Sequence, residues 1–267
     1  MSKVVFITGA SSGIGRAIGE LLHSKGMVVY GTSRTPSKVK DSPFPLIPLD
    51  VNKPETIEQA VNWILAEKGR IDVLVNNAGV GITGPLEETP DDQIHQNFDT
   101  NFYGPIRVIK AVLPAMREAG QGRVINITSI AGYMGLPYRG IYSASKAALG
   151  VVTETLRMEA REFGISFTTV APGDFATNIA AGRYHAPLKD DSPYYKNYKV
   201  SLDLMNEHVD AGEDPVAMAS FVHKLINKKK VKVHYRVGAP LQRLSIVLKR
   251  LLPDTWYESM LRKHYKL

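Results

Sequence analysis

Tyr142 and Lys146 stand one helical turn apart in the stretch GIYSASKAAL, and Ser129 precedes Tyr142 by 13 residues in INITSIAG. A phenol with an ordinary pKa of about 10 exchanges protons poorly near neutrality, and a cation within about 4–6 Å favours its ionised form. Lys146, four residues on, is placed to supply that charge from the same helix face. A serine hydroxyl can donate to a substrate oxygen. Together these three types would transfer a proton to a carbonyl oxygen or take one from an alcohol. On spacing alone, a Tyr and a Lys at i and i+4 more often describe a half-buried aromatic beside a solvated cation. Their surroundings must decide.

Near the N-terminus an apolar run ends in TGASSGIG, with glycines at 9, 13 and 15. Glycines there let the backbone turn tightly and approach a pyrophosphate, whose charge is favoured at the N–H groups of a following helix. The spacing G-x-x-x-G-x-G, at the first strand-to-helix turn, predicts a dinucleotide site. An acid about 20 positions further on ordinarily binds the ribose 2′-hydroxyl of NAD. Here the second apolar run ends in YGTSRTP, with Ser33 and Arg34 and no acid before Asp41. Arg34 would pair with a 2′-phosphate, so NADP(H) is expected in preference to NAD(H). Asp50 and Val51 follow the third run in PLDVN, where Asp50 would cap the next helix or reach an adenine amino group. Asn76, Asn77, Ala78 and Gly79 follow the fourth run. The expected cofactor contacts from these turns are Gly9, Ser11, Ser12, Gly13, Ile14, Gly15, Ser33, Arg34, Asp50, Val51, Asn77, Ala78 and Gly79.

The elements that must position these residues alternate in type. Val- and Ile-rich runs occur at 4–8, 27–32, 46–49, 71–75, 123–128 and 165–170, with a last one in KVHYRV. Helical stretches are expected over 13–25, 54–67, 90–117 and 142–163, the second opened by Asn52 and Pro54 and the third by Thr89 and Pro90. Strands apolar on both faces, separated by helices, predict a single doubly wound Rossmann-type α/β domain over 1–238, its mostly parallel sheet flanked by helices on both faces. Residues 178–205 carry Pro, Gly, four tyrosines and mixed charge with little periodicity, and are expected to form a substrate lid.

The 267 residues, 44% of them hydrophobic, can bury one large core. The absence of cysteine excludes disulfides and thiolate-bound zinc. The seven histidines lie far apart, so no metal site is expected. No signal-peptide pattern opens the chain, and no apolar run reaches the ~18 residues of a membrane span, so a soluble, cytoplasmic protein is expected. The net charge of +7 is concentrated at the end: from Lys224 onward there are 12 Lys/Arg and 2 acidic residues. Basicity confined to a tail argues against nucleic acid as a partner.

The set Thr8-Gly9-x-x-x-Gly13-x-Gly15, Asn76-Asn77-Ala78-Gly79, Asn101 in NFYG, Ser129, Tyr142-x-x-x-Lys146 and Pro172-Gly173 closely resembles the classical short-chain dehydrogenase/reductase family, over about residues 4 to 180. The resemblance implies that Tyr142 is the general acid in carbonyl reduction and the base in alcohol oxidation. It implies that Ser129 holds the substrate oxygen, that Lys146 binds the nicotinamide ribose and assists Tyr142, and that Asn101 helps hold a water in a proton relay. Pro172, Gly173 and Thr177 would border the nicotinamide. The family also implies a homodimer or homotetramer formed through the helices at 90–117 and 142–163.

Substrate contacts are expected from Ser129, Tyr133, Met134, Leu136, Tyr138 and Tyr142, an apolar and aromatic wall that suits a lipophilic ketone, aldehyde or alcohol. Steroid-, retinoid- or 3-ketosphinganine-like compounds fit that description. A 3-oxoacyl-thioester reductase is the narrower alternative, and a non-catalytic NADP-sensing protein is the rival from another class. Residues 239–267 form a basic extension. Leu241, Leu244, Leu248, Leu251 and Leu252 would share one helical face opposite Arg243, Lys249 and Arg250, ready to lie on a membrane surface or to pack on the protein itself.

Overall fold

A computed structural model describes residues 2–175, 182–210 and 212–267, with backbone alone at 208–210. Strand β1 (Val4–Ile7) leads into helix α1 (Gly13–Ser24), then β2 (Val28–Ser33), β3 (Leu46–Pro48), α2 (Pro54–Lys68) and β4 (Val73–Asn76). A short β5 (Ile82–Thr83) precedes α3 (Asp91–Phe98), a π-helical turn at Asp99–Tyr103, and α4 (Gly104–Glu118). Next come β6 (Gly122–Ile127), α5 (Gly140–Glu159), β7 (Ile165–Pro172), a short β8 (Tyr184–His185), α6 (Tyr195–Asp210) and α7 (Pro215–Ile226). The chain closes with β9 (His234–Val237), α8 (Pro240–Leu251) and α9 (Asp254–His264).

Among the described residues the main sheet has seven strands in the order β3-β2-β1-β4-β6-β7-β9, every pair parallel. β5 and β8 pair separately. Because strand side chains alternate between faces, Val4 and Phe6 join one core while Val5 and Ile7 join the other. The first core is closed by Ile57, Val61 and Ile64 of α2 and by Val108, Val112 and Met116 of α4. The second is closed by Ile18 and Leu22 of α1 and by Met218, Val222 and Leu225 of α7. The strand order reverses between β1 and β4, and the crevice outside the carboxyl ends of the strands at that point is where such sheets take ligands.

Four local expectations change. Helix α2 starts after Lys53, with no side-chain cap, and Asp50 accepts the Asn52 N–H in a tight turn instead of capping the helix. Helix α3 starts after Pro90, while the Thr89 hydroxyl turns back to the Pro85 carbonyl. The helix expected over 90–117 is interrupted by the π-helical turn that carries Asn101. Of the lid expected at 178–205, residues 178–181 lie outside the described residues, and from Tyr195 the chain is helical. Its buried face is Tyr198, Ser201 and Met205, and the serine in the middle hides the 3.6-residue apolar period.

Candidate active site

The carboxyl ends of β1, β2 and β4 are tied together before any ligand is considered. Thr8 Oγ1 accepts the backbone N–H groups of Asn77 and Ala78 at 3.0 and 3.1 Å. The Asn77 amide donates to the carbonyls of Thr8 and Gly9, and the Gly9 N–H reaches Thr32 Oγ1. Gly9 adopts φ +66°, and a side chain there would begin 2.9 Å from Ala78 Cα. A Cβ at Gly15 would meet the Gly9 carbonyl oxygen at 2.3 Å. The turn is therefore passable only for glycine at these two positions.

This scaffold borders a cavity of about 410 Å³. It is lined by Gly9, Ser11, Ser12, Gly13, Ile14, Ser33, Arg34, Asp50, Val51, Asn77, Ala78 and Gly79, and at its far end by Tyr142, Lys146 and Pro172. The amino end of α1 opens onto it with no acidic residue in its first turn and no side-chain cap, so its free N–H groups are available to an anion. Glycine walls, a helix amino terminus and a buried lysine at the opposite end suit an extended dinucleotide. Of the expected contacts, Gly15 packs behind the wall and Gly173 lines the neighbouring cavity. Thr177 lies outside the described residues. The sequence reading missed Thr32, Thr35, Asn52, Gln96, Thr100 and Thr128 on the same wall, because isolated polar residues after strands, or on α3 and the π-helical turn, carry no motif.

The reaction centre is built by β6, the 3₁₀ turn Ile130–Tyr133 and α5. Ser129, Tyr142 and Lys146 are 8%, 9% and 6% exposed. Ser129 Oγ accepts the Ala131 N–H at 3.1 Å, which leaves its proton free to be donated. Lys146 Nζ donates to the Ile127 carbonyl at 3.2 Å and lies 6.0 Å from the centre of the Tyr142 ring. Burial pushes the Lys146 ammonium down to about 8. Asn101 is wholly buried in the π-helical turn; its amide carbonyl accepts the Val80 N–H and its NH₂ donates to the Val80 carbonyl, both at 2.9 Å. Asn101 Oδ1 and Lys146 Nζ crowd the same face of Gly79. A π-turn at this point shifts the helix register by one residue and so aims Asn101 inward, which a regular 3.6-residue reading of 90–117 does not reveal.

Tyr142 lines two cavities at once. On the side away from the nucleotide wall, it shares a space of about 80 Å³ with Ser129, Arg139, Gly173, Asp174 and Arg183. Through Ile82 and Thr83 that space adjoins an open cavity of about 750 Å³ lined by Leu86, Leu136, Tyr138, Ile141 and Tyr194. Of the four side chains expected in the substrate wall, Leu136 and Tyr138 face this cavity. Met134 instead packs under the C-terminal helices with Ile246 and Tyr257, and Tyr133 stacks edge-on with His234 under the Arg236 guanidinium.

The C-terminal extension packs on the protein's own body. Ile246 and Tyr257 are buried against Ile130 and Met134. Gln242 of α8 donates to the Asp174 carboxylate at 2.6 Å. Tyr265 is buried beside Arg139 and Asp174; burial raises its phenol, against a hydrogen bond from Arg139. The five leucines expected to share one helical face divide otherwise. Ile246 is the buried residue of α8, Leu248 and Leu252 are half-buried, and Leu241, Leu244 and Leu251 face outward. The helix is apolar on two sides, which a single-face reading could not separate.

The family model for short chain dehydrogenases matches residues 3–187. The chain belongs to the short-chain dehydrogenase family. It is 38% identical over 266 residues to a 3-ketodihydrosphingosine reductase of Bacteroides thetaiotaomicron, covering 99% of this chain and 98% of the relative. A short-chain dehydrogenase structure from Streptomyces avermitilis superposes with a TM-score of 0.80 at 33% identity, covering 98% and 97% of the two chains. ElxO with NADP bound superposes with a TM-score of 0.70 at 28% identity, covering 88% and 96%. Solved relatives carry NADP in some cases and NAD in others, so membership of this oxidoreductase family does not choose between the two.

Proposed function

We propose that this short-chain dehydrogenase is an NADP(H)-dependent reductase of a lipophilic ketone or aldehyde, with Tyr142 as its proton donor. The observation that carries the reading is the position of Tyr142 on the wall between the nucleotide cavity and the cavity that holds Ser129. The cofactor, when bound, supplies the hydride. Ser129 Oγ–H holds the substrate oxygen, and Tyr142 Oη delivers a proton to that oxygen as it gains negative charge. Lys146 holds the nicotinamide ribose and keeps a positive charge beside the phenol. Asn101, whose amide is committed to Val80, serves the proton relay by shaping the turn that backs Lys146.

The apolar lining of the large cavity supports a long-chain or polycyclic substrate, the class that includes steroid-, retinoid- and 3-ketosphinganine-like ketones. A 3-oxoacyl thioester is the second reading, supported by the same lining. A purely NADP-sensing protein would leave the Ser129–Tyr142–Lys146 arrangement unused. The test is a panel of these ketones with NADPH and NADH as reductants. Turnover by the wild type that Tyr142→Phe reduces at least a hundredfold supports the reading; equal activity in that variant overturns it. Tight NADPH binding without turnover of any ketone transfers the assignment to the sensor.

Two features of the surface belong to the same reading. Leu241, Leu244, Val247, Leu251 and Trp256 form an exposed apolar row, with Leu241 72% and Leu251 75% exposed, flanked by Arg243, Arg250 and Lys263. That composition supports peripheral contact with an anionic lipid surface, from which a lipophilic substrate would arrive. No described helix is long and apolar enough to cross a membrane. Exposed Tyr103 beside α4, and Val151 and Met158 on α5, support a homo-oligomer assembled through those helices. Vesicle co-sedimentation and light scattering test the two.

A further inference from the structure

Among the described residues, Arg183 is a cation with no hydrogen-bond acceptor in the substrate-side cavity. It is 9% exposed, its Nη1 is buried, and no described residue accepts a hydrogen bond from it. Its stem lies on Gly81, where a Cβ would meet Arg183 Cγ at 2.8 Å, so the bare glycine backbone makes room for it. The cavity it borders is the one shared by Ser129 and Tyr142. Two other charges face that space. Asp174 is already engaged by the Gln242 amide, and Arg139 lies 5.5 Å from the centre of the Tyr142 ring and turns toward Tyr265. Among the described residues the charges lining the cavity therefore sum to one positive, with the acid hydrogen-bonded to Gln242 and the Arg183 guanidinium lacking an acceptor.

A buried guanidinium costs stability unless an anion or several acceptors satisfy it, and its planar fork fits an oxyacid with two parallel hydrogen bonds. We infer that Arg183 binds an oxyacid group, carboxylate or phosphate, carried by the substrate close to the carbonyl that Ser129 and Tyr142 address. The substrate is then an acidic amphiphile, its head at Arg183 and its apolar body among Leu86, Leu136 and Ile141. Within the class proposed above, an amino ketone of the 3-ketosphinganine type, which brings a second cation to the same place, is disfavoured. Burial first, and then the neighbouring Arg139, lower the Arg183 pKa, and the opposing pull of Tyr142, Asp174 and Tyr198 does not restore it.

The inference rests on the assignment of Ser129 and Tyr142 as the reaction centre, and the experiment separates the two. Steady-state reduction with NADPH is measured for a long-chain 3-oxo acid, a long-chain keto phosphate ester, the methyl ester of the 3-oxo acid and the matching amino ketone. Arg183→Gln is expected to raise KM for the acid or the phosphate about tenfold or more, with Arg183→Lys recovering part of it and the ester unchanged. Whichever acid responds identifies the head group. The apo Arg183→Gln protein is expected to melt at a higher temperature than wild type, because an unpaired buried charge is gone; a merely structural arginine would give the reverse. If the wild type reduces none of these ketones, calorimetric binding of the 3-oxo acid and of the keto phosphate ester to the NADP⁺-loaded protein, with and without Arg183→Gln, still tests the site. Equal KM changes for acid and ester, or a lowered melting temperature with unchanged oxyacid binding, would overturn it.

Discussion

Gln242 of α8 and Asp174 of the loop after β7 are joined twice: the glutamine NH₂ donates to the carboxylate, and its carbonyl accepts the Asp174 N–H at 3.3 Å. A Cβ at Gly173 would lie 1.9 Å from that glutamine carbonyl oxygen, so Gly173 is bare where the tail seats. The tail thereby braces two residues, Gly173 and Asp174, that line the cavity shared by Ser129 and Tyr142. Gln242→Ala is expected to raise KM for a lipophilic ketone severalfold while leaving NADPH affinity within twofold of wild type, because the nucleotide cavity is built by other elements. Fluorescence titration with NADPH beside steady-state kinetics reads both numbers. A loss of NADPH binding equal to the rise in KM would mean that the tail supports the whole fold instead of the substrate side.

Lys146 holds a charge at a cost to the fold. Burial lowers it from 10.5 to about 8, a penalty of about 3 kcal/mol while the group is charged in both states. Below pH ~8 the native and unfolded chains both carry the proton and the full penalty applies. Between about 8 and 10.5 only the unfolded chain holds it, so stability attributable to this group rises with pH. Lys146→Met is therefore expected to be more stable than wild type by up to about 3 kcal/mol at pH 6–7, with the gap closing toward pH 10.5, and inactive throughout. Urea melts at three pH values check the sign. In wild-type apo protein, cofactor affinity is expected to fall as pH climbs through about 8 and the ammonium is lost.

What the sequence made legible divides along physical lines. The strand at Val4–Ile7, the glycine turn and the placing of Tyr142 and Lys146 on one helix are legible because each depends on neighbours in the chain: a continuous apolar run, a positive φ, a one-turn spacing. Asp174 and Arg183 line the cavity shared by Ser129 and Tyr142, and Gln242 and Tyr265 stand beside Asp174, yet the four stood out in no pattern. Their meaning comes from contacts 60 or more positions apart, such as Gln242 with Asp174. The tail shows the limit most plainly. Its leucines announce an amphipathic helix, but Ile246, outside that set, is the side chain that docks. Periodicity says that a helix has an apolar face and does not say which of two faces is covered.

Asn101 Oδ1 and Lys146 Nζ lie on the same face of Gly79. Asn101→Asp keeps an acceptor for the Val80 N–H but removes the donor to the Val80 carbonyl and sets an anion beside the buried ammonium. The anion favours the charged lysine, so the alkaline limb of the pH–rate profile is expected to move upward, toward the ordinary lysine range. Asn101→Leu leaves the Val80 N–H without its partner, at about 1–3 kcal/mol, while the Val80 carbonyl keeps the Asn97 amide, and is expected to lower the melting temperature without that upward move. Comparing the two variants distinguishes an electrostatic effect from simple loosening of the turn.

The proposed preference for NADP(H) rests on Arg34. It lies exposed at the rim of the nucleotide cavity beside Ser33 and Thr35, and the nearest acid on that wall, Asp50, is turned to the Asn52 N–H. A 2′-phosphate at the rim would meet a guanidinium with no carboxylate in competition. Arg34→Ala is expected to weaken NADPH binding about tenfold, the worth of one partly solvated charge-assisted contact, and to leave NADH binding unchanged. Because the pair is solvated, raising salt from 50 to 500 mM should erode the wild-type preference for NADPH and leave the variant nearly insensitive. Arg34→Asp goes further, since its carboxylate would accept from a ribose 2′-hydroxyl and repel a phosphate, and is expected to reverse the preference. Dissociation constants for both nucleotides at two salt concentrations suffice. An Arg34→Ala protein that still prefers NADPH as strongly as wild type would move the source of that preference to another residue on the wall.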